Sequence, residues 1–562
     1  MKRLFFNTII FLLSFALYIT IIFILFYPIF TASSIIFPYS ITEFDICLVY
    51  PQTWISIKRF YIISCFISFT ILFFKFFSYF STRCSIKNIS VGTPKINEEL
   101  NLLVGFFNNS NIYIPEKGLF QNILVTGTIG TGKTASALYP FTKQLISYKS
   151  DIHSQKIALL ILDVKGNYYS KVKEFSAEYN RENDLITVSL DSGLKYNPLD
   201  KPNLSPIVLA NRLKTILTLF SSNNTESYWL DKTEQILSEA IKFCRLYNNN
   251  YVTFLEIHKL IMFPEYYYQK LKLIKENFLN NKYNKVQAYD LLTCIDFFEK
   301  EFFSLDSRTI SILKSEISRI TGFFVSDYQV SQTFCPQKKD INFNGFSDML
   351  NSGKIVVLNM NIAEYKNLSK IIAAYLKLDF QSEVLSRLKT PNNIRTSAFI
   401  SDEYQEYITS TDADFYAQSR EAKCINIVAT QSYTSLLNTL KDDSTLKVIL
   451  QNLINKLWFR TDDIFTIEEA QKLIGKEDKL KFSTSISENA KETDFSLFTN
   501  DLISYNSSIS ESLNKYTQTD FVFDTNFFTQ KLETFTSLAF LSDGYKISSP
   551  QKINMIPYFT NN

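Results

Sequence analysis

The chain has 562 residues, 51 Phe and 32 Tyr among them, with a formal net charge of +3, which is too small to point to nucleic acid by itself. The length allows roughly three to four domains and large buried cores. Seven scattered cysteines without a C-x-x-C pair have no metal-ligand spacing, which excludes a zinc ribbon or finger and leaves them as small, reduced core residues.

Residues 5–27 carry no charge and are rich in Phe, Ile and Leu, long enough to cross a hydrocarbon core of about 30 Å. Residues 60–80 form a second span if Lys75 reaches back to the interface. The apolar stretch is too long for a signal peptide, and no small-x-small cleavage site follows it. Residues 1–85 are therefore expected to be a two-helix membrane anchor around an extracytoplasmic loop, 28–58. Lys2 and Arg3 before the first span, and Arg83 and Lys87 after the second, agree with both ends facing the cytoplasm, whereas Lys58 and Arg59 oppose it.

Next comes Gly127-Thr128-Ile129-Gly130-Thr131-Gly132-Lys133-Thr134, which fits G-x-x-x-x-G-K-[ST] at every fixed position. An apolar run, Ile123-Leu124-Val125, precedes it and Ala135-Ser136-Ala137-Leu138 follows, so a strand turns into a helix here, as a phosphate-binding loop requires. The glycines let the backbone fold into a nest of N–H donors, and the helix N-terminus adds partial positive charge. Gly127, Thr128, Gly130, Thr131 and Gly132 are thus expected to wrap the phosphates of ATP. Lys133 would reach the β- and γ-phosphates and Thr134 would ligate Mg²⁺.

From about residue 90 the chain alternates β-branched runs with helical ones. The runs 122–126, 157–163, 185–190, 355–360, 397–401, 425–430 and 456–460 are nearly continuous in apolar residues, as strands covered on both faces would be. The expected fold is α/β, a P-loop domain made of 86–203 and 336–562. Between 204 and 335, apolar residues recur at three- and four-residue steps, which predicts an inserted all-α domain. Lysines between 259 and 285 interleave there with Tyr266, Tyr267, Tyr268 and Tyr283. Cations and stacking rings suit a nucleic-acid strand, and a solvated helix face accounts for the same pattern. The polar stretch 476–520 reads as long loops with short strands or partial disorder.

A P-loop ATPase also needs a carboxylate in the Mg²⁺ shell and a base for water. Two apolar strands end in Asp, at Asp163 and at Asp402, and only the second is followed by Glu. Asp402 is assigned to the metal and Glu403 to water activation, with Asp163 at the rim. Gln431, ending the 425–430 strand, is placed to meet the γ-phosphate or the attacking water. Arg420 and Arg460 are the candidates for an arginine finger.

Taken together, the P-loop, Leu162-Asp163-Val164-Lys165-Gly166-Asn167, Tyr196-Asn197-Pro198-Leu199-Asp200, Trp229-Leu230-Asp231, Asp402-Glu403 and Ala429-Thr430-Gln431-Ser432 resemble the conjugative coupling proteins of type IV secretion systems, the TraD/TraG group. The resemblance covers most of residues 1–475. Asn167 departs from it, since the family more often has Glu there. It implies a RecA-like motor with an inserted all-α domain, anchored in the bacterial inner membrane with the ATPase domain cytoplasmic. It further implies a homo-hexameric ring that passes DNA, single-stranded and relaxase-bound, or protein substrates to secretion-channel components. Two other readings are a DNA translocase of the FtsK/HerA type, which the D-x-K-G and Y-N-P-L segments argue against, and a recognition adaptor whose nucleotide site only drives assembly.

Overall fold

A strand covered on both faces reads as an unbroken apolar run, and the central strands here are of that kind. In the computed structural model, Ile123, Val125, Leu159, Ile161, Val357, Ile400 and Ile427 enter one core, while Leu124, Leu160, Leu162, Val356, Leu358, Phe399 and Val428 enter the other. Period-two alternation thus feeds two layers from a single sheet. The first layer is covered by the helices Tyr139–Ser147 and Tyr168–Glu178, and the second by Asn367–Ser386 together with helices that lie between residues 206 and 334.

The structure describes residues 99–560 apart from 164, 221–226, 280–282, 390–393, 490–493, 496–501 and 504–507, together with Tyr18, Gln52, Ser56, Arg59, Phe60, Ile63, Ser64, Ile67 and Thr70. The chain divides into two units, Met1–Lys95 and Ile96–Asn562. In the first, the described positions are helical. The spans expected at 5–27 and 60–80 lie almost wholly outside the described residues, and among those described no helix is long and apolar enough to cross a membrane.

The second unit is built on an eleven-stranded sheet. In chain order the strands are β1 (Asn101–Phe107), β2 (Ser110–Pro115), β3 (Ile123–Thr126), β4 (Ala158–Leu162), β5 (Leu185–Val188), β6 (Ile355–Leu358), β7 (Ser397–Ser401), β8 (Cys424–Thr430) and β9 (Asn455–Trp458), followed by β14 (Thr536–Phe540) and β15 (Gln551–Met555). Across the sheet the order is β2-β1-β15-β14-β9-β3-β8-β7-β4-β6-β5. Strands from β9 to β5 are parallel, whereas β14, β15, β1 and β2 add an antiparallel wing. The seven runs singled out in the sequence form β3 to β9. Of the wing, β14 lies on the apolar run 538–541, which reads as a strand ending in the turn Asp543-Gly544, whereas β1, β2 and β15 are not among the expected strands.

Between β5 and β6 the described residues form helices and no strand, from Pro206–Thr218 to Tyr328–Phe334. In the lysine–tyrosine pattern, three of the four rings are taken up by the domain itself. Tyr267 is fully buried against Phe243, Phe298 and Phe303. Tyr266 donates to Glu256 Oε2 at 2.7 Å and Tyr283 to the Leu246 carbonyl at 2.8 Å. Only Tyr268 keeps an exposed ring among the four, so the rings serve the domain's own packing.

The stretch 476–520 departs from the long loops expected there. Rather than loops, this stretch carries a two-stranded antiparallel ribbon, β10 (Lys476–Asn489) with β13 (Ser508–Phe521), and a shorter pair, β11 (Asp494–Phe495) with β12 (Leu502–Ile503). Its polar composition masked it. Where its side chains are described, at 476–482 and 515–521, the ribbon is exposed or half-buried, and such strands need no apolar alternation, only paired backbone groups.

Candidate nucleotide site

The parallel strands end along one edge of the sheet, where ligands of open α/β sheets bind. At the end of β3 the P-loop turns back on its neighbours. Gly127 N donates to the Thr430 carbonyl at 3.3 Å and Thr128 N to the Arg460 carbonyl at 2.9 Å. Thr128 Oγ1 reaches the same Arg460 carbonyl at 3.1 Å, and Thr131 Oγ1 donates to Thr128 O at 2.8 Å. Gly130 and Gly132 sit at φ +79° and +95°, a region open to glycine and costly for other residues.

The helix that follows begins with a wide turn, Thr134–Leu138, in which Tyr139 N bonds to Thr134 O. Pro140 explains the widening. It has no N–H, and its ring would strike the Ser136 carbonyl in a regular helix.

Opposite the loop stands β7. Thr134 Oγ1 donates to Asp402 Oδ2 at 2.9 Å across 268 residues of sequence. Asp402 is 4% exposed, and its other oxygen accepts Glu403 N at 3.0 Å. Burial pushes its carboxyl up to about 6, with Lys165 pulling the other way and Asp163 and Glu403 adding to the rise. Tyr407 fixes the strand end, donating to the Asp402 carbonyl at 2.6 Å while it lies 2.9 Å from Ser401 Oγ. Lys133 Nζ donates to the Gly127 carbonyl and to Thr128 O at 3.1 Å. Burial lowers the lysine's pKa, and the carboxylates of Asp402 and Glu403 oppose that.

Glu403 occupies the left-handed region at φ +51°, ψ +48°, unusual for a residue with a side chain and of a kind that clusters at functional sites. Its carboxylate takes an ion pair from Lys165 at one oxygen. At the other it accepts Gln405 Nε2, and Gln431 Nε2 at 3.1 Å. Gln405 is held in turn by Thr430 Oγ1 at 3.0 Å.

Lys165 is the site residue that sequence reasoning quoted without assigning a role. Its position comes from Asp163, whose Oδ1 accepts Lys165 N at 2.8 Å and whose Oδ2 accepts Asn167 N and Tyr168 N, both at 3.0 Å. A buried carboxylate thus caps the helix Tyr168–Glu178 and folds the turn that sends Lys165 toward Glu403. The spacing D-x-K-G was the available signal, since Gly166 at φ +76° closes that turn. Asp163 shapes the site through backbone contacts.

The two arginines fall on opposite edges. Arg460, exposed, lies just past the end of β9 with its carbonyl on the P-loop. Arg420 precedes β8, so it sits at the amino end of the sheet, away from the phosphate loop.

Among the described residues no three His, Cys, Asp or Glu side chains converge as a metal site. Thr134 and Asp402 nevertheless offer two hard oxygen donors side by side. Mg²⁺ characteristically takes one or two protein oxygens and completes its shell with phosphates and water, so the residues present fit it.

No protein-family model matches the chain, and no curated protein does either. Solved structures do. The bacterial conjugative coupling protein TrwBΔN70, in an unbound form, aligns at 12% identity and a TM-score of 0.52, over 79% of this chain and 87% of that one. Plasmid coupling protein TrwB in complex with ADP and Mg²⁺ aligns with the same identity and TM-score, over 79% and 88%. The TrwB complex with a non-hydrolysable ATP analogue gives 13% and 0.51, over 78% and 86%. The chain has the fold of a conjugative coupling protein, a mixed α/β sheet carrying a P-loop.

Proposed function

We propose that this protein is a membrane-anchored ATPase that couples ATP hydrolysis to the passage of DNA, with attached relaxase, or of protein substrates into a type IV secretion channel. One observation carries the reading. Thr134 meets Asp402 at 2.9 Å while Glu403 stands beside them under the control of Lys165 and Gln431. The fold shared with TrwB supports it, as do the apolar runs at 5–27 and 60–80.

In this site Gly127, Gly130, Thr131 and Gly132 offer backbone N–H groups to the phosphates of ATP, and Lys133 moves from the loop carbonyls to the β- and γ-oxygens. Thr134 and Asp402 would hold Mg²⁺, which would supply charge neutralisation for the phosphates. Glu403 orients the attacking water and accepts its proton, while Gln431 holds the carboxylate and the water in register. The working assembly is a homo-hexamer at the bacterial inner membrane, in which Arg460 is better placed than Arg420 to serve phosphoryl chemistry.

Phosphate release by the full chain in detergent tests the enzyme. Lys133→Ala and Glu403→Gln should each lower turnover by at least about 100-fold; unchanged turnover in either variant refutes the assignment. Substrate transfer between cells tests the motor. If Glu403→Gln abolishes hydrolysis yet transfer persists, the chain is an adaptor.

A further inference from the structure

The phosphate site has a polarity. Asp402, Glu403, Lys165 and Gln431 all lie on the β8–β7–β4 side of the P-loop strand β3. That side takes the γ end of a triphosphate, so its nucleoside end must leave on the other side, toward β9 and β14. Aromatic rings gather there. Phe535 immediately precedes β14, whose first residues pair with the carboxyl end of β9, Leu538 opposite Trp458. It therefore stands on the P-loop edge of the sheet. Phe535 N donates to Thr131 O at 3.1 Å, and its ring lies so close to Gly132 that a Cβ added there would sit 2.4 Å from Phe535 Cδ1.

The chain then returns along β15 and crosses the same edge. Met555 N bonds to the Phe535 carbonyl at 2.8 Å, and residues 558–560 form a short turn. Phe559 packs edge-on against Phe535 at 5.8 Å and Tyr558 against Tyr139 at 5.2 Å. Tyr139 is four residues beyond Ala135, so the two share the helix face that leads away from the loop. Tyr558 is engaged by Tyr139 and by Lys171 Nζ, 4.8 Å from its ring centre. Phe559, by contrast, is 55% exposed, a large apolar ring held at the mouth of a phosphate-binding loop.

We infer that Phe535 and Phe559 form the nucleobase-binding platform of this site, with Phe559 the ring on which the base stacks. Every base has a π face to lay on such a ring, and base–aromatic stacking is worth about 1–3 kcal/mol by alanine substitution. The C-terminal wing of the sheet thereby becomes part of the nucleotide site. The inference rests on the reading of Gly127–Thr134 as a nucleotide loop.

The test compares Mg²⁺–ADP, which carries a base, with Mg²⁺–pyrophosphate, which carries none, by calorimetric titration of the full chain in detergent. Phe559→Ala should weaken ADP roughly 5- to 150-fold and move pyrophosphate less than about 2-fold, while Phe559→Trp keeps ADP at wild-type strength. Unchanged ADP affinity in Phe559→Ala overturns the platform, and so does a parallel loss of pyrophosphate. Wild-type protein that binds pyrophosphate as tightly as ADP overturns the platform alone. Wild-type protein that binds neither removes the nucleotide site itself, a separate failure.

Discussion

Lys165 and Glu403, 238 residues apart in sequence, form an ion pair beside the phosphate loop. Burial raises the Glu403 carboxyl, but the hydrogen bonds from Lys165, Gln405 and Gln431 outweigh it and hold the group below its ordinary range. A base held low stays ionised through neutral pH. Replacing Lys165 with Met removes the strongest of these contacts and lets burial win. The acid limb of the turnover profile should shift to higher pH with binding of ADP little changed, Asp402, which Lys165 also holds down, moving in the same direction. A profile that falls uniformly without shifting would show that Lys165 acts on something other than Glu403.

Asp402 is the opposite case. Its carboxyl is lifted to about 6 from an ordinary value near 4, so the folded protein binds the proton more tightly than the unfolded chain. Stability is therefore lost as pH rises from about 4 to 6, a penalty on the order of 3 kcal/mol that is fully present above that window. Asp402→Asn should raise the melting temperature at pH 7.5 by a few degrees, and the gain should shrink toward pH 4.5. The same substitution should abolish hydrolysis. Melting curves of both proteins across this range, without nucleotide, decide the matter; a gain independent of pH would exclude titration of Asp402 as its source.

The sequence was most legible where one physical demand ruled. Buried parallel strands must be apolar on both faces, and β3 to β9 announced themselves that way. The loop Gly127–Thr134 could be read because φ above zero and close phosphate approach restrict residue choice. Lys165 was harder, because its partner is distant in sequence and only Asp163's backbone contacts aim it. The ring cluster of Phe535 and Phe559 was invisible for a related reason. In a chain with 51 Phe a phenylalanine carries no signal until the fold sets it against Gly132. The ribbon β10–β13 was missed because its sequence, rich in Ser, Asn and Lys, carries no sustained hydrophobic alternation.

Two glycines of the loop differ in what surrounds them. A Cβ on Gly130, at φ +79°, meets nothing within 4 Å, whereas one on Gly132, at φ +95°, meets the Phe535 ring at 2.4 Å. Gly130→Ala should cost only backbone strain, about 1–2 kcal/mol. Gly132→Ala should add a steric term of about 1–3 kcal/mol. Combining it with Phe535→Ala should recover that term, and a double-mutant cycle by chemical denaturation measures it. Strict additivity would mean that the ring and the loop are not in contact.

The helix Asn367–Ser386 holds two buried charges of opposite sign, two residues apart and therefore pointing apart. Lys377 faces the segment that follows Glu403, paired with Asp412 at 2.6 Å and donating to Thr409 Oγ1 at 2.8 Å. Asp379 faces the root of the inserted helices. It accepts Tyr196 OH at 2.8 Å and Arg212 Nη1 at 2.9 Å, and pairs with Lys201 at 3.0 Å. Burial acts to raise the Asp379 carboxyl, and the two cations reverse this and hold it below the ordinary range. The Y-N-P-L segment is thus a joint. Tyr196 ends on Asp379, Asn197 Nδ2 donates to the Val252 carbonyl at 2.8 Å, and the Pro198 carbonyl accepts Tyr375 OH at 2.7 Å. Asp379→Asn leaves the buried Arg212 without its ion-pair partner and Lys201 with Glu383 alone, and should cost about 3–5 kcal/mol. Glu383→Gln removes only the more exposed partner of Lys201 and should cost less than about 1 kcal/mol. Because Asp379 touches the insertion and not the phosphate loop, ADP affinity should survive its loss, while proteolysis near residues 200–206 accelerates. Equal destabilisation by the two substitutions would show that Asp379 is not the anchor of the cluster, and loss of ADP binding with Asp379 would tie the cluster to the nucleotide site rather than to the joint.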